Sequence, residues 1–184
     1  GLGGNVLREL GGAAVTLSGG EIYPALQSGA IDATEWVGPW NDLAFGFYRE
    51  APFYYGPGFH EPGSCLGVGM NLGVWNDLDD DHKAIIQAAC RAANNVSLAE
   101  FTYQNAQALD VLINDHGVQL RSFSDEMWNR IGDISEQVVS DTGNADAMTR
   151  RVYESYITAR NQMQNWGRIS EMPSMAHRDR ILRG

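Results

Sequence analysis

The sequence has few cysteines, few basic residues and no long apolar run. Only 2 of its 184 residues are cysteine, which is too few for a disulfide framework, and neither belongs to a CxxC zinc pair. A bridge between Cys65 and Cys90 stays open, so the cysteines do not define a compartment. No apolar run approaches the roughly 20 residues of a spanning helix, which excludes a membrane-embedded chain of that type.

Acidic residues outnumber basic ones. The 13 Lys and Arg stand against 23 Asp and Glu, which gives a formal net charge of −10. Nucleic acids and anionic lipid surfaces are bound through clustered basic residues, so we expect neither as a partner. Hydrophobic residues make up 43% of the chain and charged residues 20%, which is typical of a globular protein rather than a disordered one.

Turn residues and charge divide the chain into three regions. Residues 1–64 are rich in glycine and proline and carry 7 acids and 2 bases. Residues 65–142 carry 12 acids and 4 bases, and residues 143–184 carry 4 acids and 7 bases. These shifts predict regions of different structural character.

The first region shows short alternating elements. The apolar pattern predicts strands over residues 13–17 and 31–37. Between them we expect a helix that Ser18 caps and Gly29 ends, and after Gly38-Pro39 a helix over residues 40–48. Strands that alternate with helices favour an α/β fold with parallel pairing, in which ligands bind at the carboxyl edge of the sheet.

The second region is dominated by one long helix. After a predicted strand over residues 64–72 and a turn over residues 75–81, neither Pro nor Gly interrupts the chain until Gly117, and a helix of that length measures roughly 50 Å. A short strand over 118–123 and a helix to about Thr142 follow. The long helix carries an apolar stripe of nine residues: Ile85, Ala89, Ala92, Val96, Ala99, Tyr103, Ala106, Leu109 and Ile113.

The third region is a basic helix that ends near Gly167, followed by a tail with Pro173. An apolar face on a terminal helix must be buried, either on the chain's own core or on a second subunit. The face of this helix comprises six residues: Met148, Val152, Ser155, Ala159, Met163 and Trp166.

Two clusters could carry a binding site. Glu35 and Trp36 come at the carboxyl end of a predicted strand, where a carboxylate beside an indole suits a ligand or a metal. The alternative is that Trp36 belongs to the core and Glu35 is solvated.

The second cluster is the loop over residues 52–63, which contains His60 and Glu61. His60 is expected to form hydrogen bonds rather than to bind metal, because no HExxH spacing is present. If Glu61 meets Glu35, their repulsion requires a proton or a cation between them, and oxygen ligands favour Na⁺ or Ca²⁺ over zinc.

Several runs together resemble a known family. They are GLGGNVL (1–7), GGEIYPALQSGAIDA (19–33), EWVGPWND (35–42), GPGFHEPG (56–63) and WGRISE (166–171). The sequence is similar to the solute-binding subunits of tripartite ATP-independent periplasmic (TRAP) transporters, in particular those that bind 2-oxo acids or lactate.

The resemblance implies a periplasmic binding protein without catalytic activity that delivers a small carboxylate to the membrane subunits of a transporter. It implies an α/β fold that is the C-terminal part of a two-lobed periplasmic-binding-protein-like structure, with long bracing helices and an extended C-terminal helix. Residues 1–64 would then be part of the ligand-binding lobe, 65–142 the elements that cross between lobes, and 143–184 a helix and tail that form a homodimer by helix swapping.

The resemblance also implies site residues. Glu35 and Glu61 are expected as metal ligands with the backbone carbonyl of Trp36 as a third, and the cation, Na⁺ or Ca²⁺, bridges them to the ligand. Trp36, Asn41 and Phe59 are expected to contact the ligand, and no catalytic cofactor is implied. The family's carboxylate-binding arginine and first lobe precede the first run, so we expect this chain to be about half of a larger protein.

Two other classes of function stay open at this stage. Glu35 and Glu61 could serve as the acid and base of an enzyme. The chain could also be the ligand-sensing domain of a receptor.

Overall fold

The computed structural model describes residues 1–61 and 63–183, so Pro62 and Gly184 lie outside the description. The chain forms two compact units, one made of Gly1–Ala14 with the chain from Asp125 onward and the other of Val15–Ser124. The predicted three-part division has other boundaries and stays a prediction.

The described elements are α1 (Leu2–Glu9), α2 (Gly19–Ser28), α3 (Pro39–Phe45), a 3₁₀-helix (Phe47–Arg49), β1 (Phe53–Tyr55), α4 (Leu72–Asp77), α5 (Asp80–Asn114), β2 (Gln119–Arg121), α6 (Asp125–Gly143), α7 (Ala147–Gly167) and α8 (Glu171–Arg183).

A small parallel sheet lies in the Val15–Ser124 unit. β1 pairs with β2 so that Phe53 faces Gln119 and Tyr55 faces Arg121. The Gln119 N–H donates to the Pro52 carbonyl, and the Gly56 N–H donates to the Arg121 carbonyl, each at 2.9 Å. The strand predicted near residues 118–123 is confirmed, and its pairing is parallel, but its partner β1 was not predicted from the sequence.

Helix α2 begins and ends where the sequence predicts. The Ser18 backbone N–H donates to the Glu21 carboxylate at 3.0 Å, and the Ser18 hydroxyl donates to it at 2.6 Å. Gly29 ends the helix with a positive φ of 71°, a conformation that glycine adopts without the penalty of a Cβ atom. Local chemistry therefore fixes both ends.

Three predicted strands are wrong. Residues 13–17, 31–37 and 64–72 do not form strands, and Leu72 already begins α4. The apolar side chains of Val15, Val37 and Leu66 are exposed. A strand requires a hydrogen-bonded neighbour, and nothing within the described part of the chain pairs with these segments.

Helix α5 is confirmed as a single 35-residue helix, but its buried face differs from the predicted stripe. Ile85, Val96 and Tyr103 of the stripe are exposed. Ala108 and Leu112 are buried instead, and their spacing places them on the same helix face as Asn105, whose side chain bonds to α3. The predicted stripe is not the buried face, because α3 packs on the side of α5 that carries Phe101 and Asn105.

The unit made of Gly1–Ala14 and the chain from Asp125 onward contains α1, α6, α7 and α8. Val6 of α1 and Ile131 of α6 form its buried centre, and α1 packs on α6. The predicted helices near 125–142 and 145–166 are confirmed. The predicted tail is wrong, because Glu171–Arg183 is the helix α8, and Pro173 is tolerated since it lies in the first turn, where its missing N–H has no intrahelical acceptor.

Both cysteines are free thiols, so the open Cys65–Cys90 bridge is not formed. Across residues 1–61 and 63–183, no helix combines the length and apolar character needed to cross a membrane.

Candidate functional site

Glu35 and Trp36 lie on the irregular segment that leads into α3. The indole of Trp36 packs on Phe45 of α3 with ring centroids 5.3 Å apart. It also lies against the backbone of α2, because a Cβ atom on Gly19 would approach the indole Cη2 to 2.7 Å. The strand expected here is absent, yet these contacts hold Trp36 beside an exposed carboxylate.

His60 is the partner that the structure gives to Glu35. Its Nε2 atom lies 3.0 Å from Glu35 Oε2, at ion-pair distance but without the angles of a hydrogen bond. The Glu35 side chain is 52% exposed and that of His60 is 21% exposed. The loop over residues 52–63 therefore meets the Glu35 segment through His60. A meeting of Glu61 with Glu35 stays a prediction.

Phe59 and His60 form part of an aromatic group that joins this loop to the end of β2. The Phe59 ring lies 4.7 Å from the His60 ring and 6.3 Å from Phe123. Tyr55 stacks on Phe123 at 4.9 Å. Through these ring contacts the loop packs against Phe123, which follows β2.

Asp42 and Tyr54 form a part-buried hydrogen bond next to this group. The Tyr54 hydroxyl donates to Asp42 Oδ2 at 2.6 Å. Burial raises the pKa of Asp42 above its usual range, and the Tyr54 bond opposes that rise. Burial, followed by the bond to Asp42, also raises the pKa of Tyr54. Neither residue stands out in the sequence as a site residue, because the bond joins positions 12 residues apart in different elements.

Buried polar atoms without a hydrogen-bond partner concentrate here. In the described residues six such side-chain atoms occur, and five belong to Trp36, Asn41, Asp42 and His60. Trp36 contributes its indole N–H donor, Nε1. Buried polar groups are rarely left unpaired in folded proteins, so these atoms have the capacity for further hydrogen bonds.

The predicted metal ligands are only partly assembled. Glu61 is exposed and follows His60 directly in the chain. Within residues 1–61 and 63–183, no group of three His, Cys, Asp or Glu side chains is placed to hold a metal. Glu35, Glu61 and the Trp36 carbonyl are nevertheless oxygen donors of the kind that Na⁺ and Ca²⁺ prefer. The assignment of these three as ligands stays a prediction, as do Trp36, Asn41 and Phe59 as ligand contacts.

Comparison with known proteins decides the family. Residues 1–145 match the model of bacterial extracellular solute-binding protein, family 7. The chain belongs to this family. Its members bind solutes, and the predicted resemblance is confirmed.

A curated relative is the monocarboxylate 2-oxoacid-binding periplasmic protein of Nostoc sp., which is 40% identical over 172 residues. The alignment covers 94% of this chain and 47% of the relative, so the chain spans about half the length of the curated relative it matches. The predicted location outside the cytoplasm agrees with both the family description and this relative.

Solved structures of the family share the fold. A TRAP periplasmic solute-binding protein from Colwellia psychrerythraea, with bound calcium and pyruvate, has a TM-score of 0.90 at 32% identity, over 96% of this chain and 54% of that one. One from Pseudoalteromonas atlantica, with sodium and pyruvate, has a TM-score of 0.87 at 28% identity, over 96% and 54%.

A third structure, from Bordetella bronchiseptica, is a mixed-occupancy dimer with copurified calcium and picolinate, and has a TM-score of 0.90 at 29% identity over 99% and 54%. These structures confirm the predicted fold class. This chain covers about half the length of each of them.

Proposed function

We propose that this chain carries part of the ligand site of a TRAP transporter solute-binding protein that binds a small 2-oxo or 2-hydroxy monocarboxylate through a bridging cation. The observation that carries the proposal is the buried, unpartnered indole N–H of Trp36 beside the carboxylate of Glu35. The indole N–H can donate to an anionic oxygen, but Glu35 repels the same anion. A cation bound between the Glu35 carboxylate and the carboxylate of the ligand removes that repulsion.

Glu35, Glu61 and the Trp36 carbonyl would hold the cation. When bound, it neutralises the acidic side chains and attracts the carboxylate of the ligand. Calcium takes six to eight oxygen ligands, so three from this chain leave places for the bound acid and for donors from elsewhere in the complete protein. The relatives described as binding calcium or sodium with pyruvate support this class of ligand. The loaded protein would then deliver the acid to the membrane subunits of the transporter.

Calorimetry on the product of the complete gene tests the proposal. After the protein has been treated with a chelator, we expect pyruvate to bind only when Ca²⁺ or Na⁺ is supplied. Glu35→Gln should weaken cation binding by about ten-fold or more, since it removes a charged ligand. The matched control is Glu100→Gln, because Glu100 is an exposed glutamate on α5. Equal pyruvate affinity with and without cations would contradict the proposal.

We propose binding without chemistry. An enzyme that uses Glu35 and Glu61 as acid and base would lose its rate in Glu35→Gln while keeping much of its affinity. The binding function predicts the reverse, with affinity lost and no product formed by either protein. NMR spectra of pyruvate or lactate incubated with the wild-type protein and cation distinguish the two, since any turnover would overturn the assignment.

We further propose a homodimer in which α7 is exchanged between subunits. Met148, Val152, Met163 and Trp166 lie along one face of α7 and are between 56% and 65% exposed. An apolar face of this size is stabilised when another surface covers it. Light scattering should give twice the monomer mass for the wild type and for the control Gln162→Glu, and the monomer mass for Met163→Glu. A monomeric wild type would overturn the proposal.

A further inference from the structure

The Asp42–Tyr54 hydrogen bond links the two segments that carry the candidate cation ligands. Asp42 lies in the first turn of α3, seven residues after Glu35, and Tyr54 is the middle residue of β1, seven residues before Glu61. The hydroxyl–carboxylate distance is 2.6 Å and the pair is part-buried. A bond to a carboxylate that is partly shielded from water is among the stronger hydrogen bonds in a protein.

The backbone of Asp42 is also bonded to the turn that follows Trp36. The Asp42 N–H donates to the Gly38 carbonyl at 2.9 Å. Asp42 is therefore joined to this turn by its backbone and to Tyr54 by its side chain. Tyr54 is held in turn by the pairing of β1 with β2.

We propose that Asp42 and Tyr54 are positioning residues that hold the Glu35 segment and the Glu61 segment at the separation a shared cation requires. The inference rests on the proposed function, and it adds two residues that the family resemblance did not supply. Cation ligands must lie at a narrow range of distances, so a shift of one segment removes a ligand even when both carboxylates are intact. Residues that orient metal ligands typically change metal affinity by about 10–100-fold when replaced.

Tyr54→Phe tests the inference because it removes one oxygen atom and keeps the ring. In calorimetry on the product of the complete gene, we expect Ca²⁺ affinity to fall by about ten-fold or more. Pyruvate affinity at saturating Ca²⁺ should change far less, because the cation restores the segment when it binds. The matched control is Tyr55→Phe, in the same strand but on its opposite face, where the ring stacks on Phe123.

A second measurement reports on the segment without any ligand. Hydrogen–deuterium exchange over residues 35–38 should be faster in Tyr54→Phe than in the wild type or in Tyr55→Phe. A Tyr54→Phe protein with lower thermal stability but wild-type Ca²⁺ affinity and wild-type exchange over residues 35–38 would show a purely structural bond and overturn the inference. Failure of the wild type to bind any 2-oxo acid with a cation would instead overturn the proposed function, and this inference with it.

Discussion

The side-chain oxygen of Asn105, in the C-terminal half of the long helix α5, accepts the backbone N–H of Trp40 at 3.0 Å. Trp40 lies in the first turn of α3, whose N-cap residue, Gly38, has no side chain to offer. A Cβ atom on Gly38 would come within 3.2 Å of Asn105 Oδ1. Gly38 therefore lets α5 approach closely, and Asn105 supplies the cap from another helix. The edge-to-face contact of Trp40 with Phe101, at 5.1 Å, joins the same two helices.

We expect Asn105→Ala to destabilise the fold because it leaves the Trp40 N–H without its acceptor. Loss of a capping side chain costs about 0.5–2 kcal/mol of unfolding free energy. Urea denaturation monitored by circular dichroism measures the loss, and Asn105→Asp, which keeps an acceptor oxygen, should recover most of it. The matched control is Asn95→Ala, at an exposed position of the same helix, where alanine should be neutral or mildly stabilising. Equal effects at positions 95 and 105 would contradict the capping role.

Most of the helices were predictable because their signals are local, whereas α4 and α8 were not predicted. Ser18 and Gly29 mark the ends of α2, and the absence of Pro and Gly gave α5 its length. Three of the four predicted strands were wrong; residues 31–37, for example, have the composition of a strand but lack a partner within the described part of the chain. Strand formation depends on a neighbour that no local pattern reveals.

The candidate site is likewise only partly predictable from the sequence. The Glu35–Trp36 pair could be found from its motif, since adjacent residues carry it. The partners that hold the site could not be found from any local motif. Asn105 lies 65 positions from Trp40 in the sequence, and Tyr54 lies 12 positions from Asp42. Each of these residues is ordinary in its own element, an asparagine within a helix and a tyrosine within a strand. Only the fold brings them to their partners.

Gly19→Ala should disturb Trp36. The added Cβ atom would lie 2.7 Å from Cη2 and 2.9 Å from Cζ2 of the indole, which must then move. Overpacking of this kind costs about 1–3 kcal/mol. We therefore expect a lower melting temperature together with weaker pyruvate binding in the presence of Ca²⁺, measured by differential scanning fluorimetry and calorimetry.

The neighbouring glycine provides the control for that change. A Cβ atom on Gly20 would meet nothing within 4 Å among the described residues. Gly20→Ala has the same chemistry in the same helix and should leave both stability and affinity near the wild-type values. If Gly19→Ala binds pyruvate like Gly20→Ala, the position of the Trp36 indole does not matter for the ligand.

The cap of α7 should make a pH-dependent contribution to stability. Asp146 accepts the N–H of Met148 at 2.7 Å and that of Thr149 at 2.9 Å. These bonds, the one from Thr149 first, lower the pKa of Asp146 below its usual value. The stabilisation is therefore complete above the unfolded-state pKa of about 3.9 and is lost as the pH falls through the lower folded-state pKa.

We expect Asp146→Ala to be less stable than the wild type at neutral pH, with a difference that shrinks as the pH falls below the unfolded-state pKa of about 3.9. Urea unfolding across this range measures it. Asp146→Asn keeps the acceptor oxygen without a titrating group, so the wild type should lose stability relative to this variant as the carboxylate becomes protonated. A constant difference between Asp146→Ala and the wild type at all pH values would show that ionisation of Asp146 plays no part.

Gly143→Ala should be the more damaging of two glycine substitutions in α6. A Cβ atom on Gly143 would lie 2.5 Å from Cγ and 2.6 Å from Cβ of Tyr153, close to the backbone of α7, so the tyrosine cannot escape by rotation about its outer bonds. We expect a loss of about 1–3 kcal/mol in unfolding free energy.

Gly132 lies exposed inside the same helix, and a Cβ atom there would meet nothing within 4 Å among the described residues. Gly132→Ala should therefore stabilise by about 0.5–1 kcal/mol through the better helix propensity of alanine. Because the two changes share chemistry and helix, opposite signs in urea denaturation would isolate the α6–α7 contact as the cause, whereas a stabilising Gly143→Ala would mean that α7 does not pack on α6 at this point.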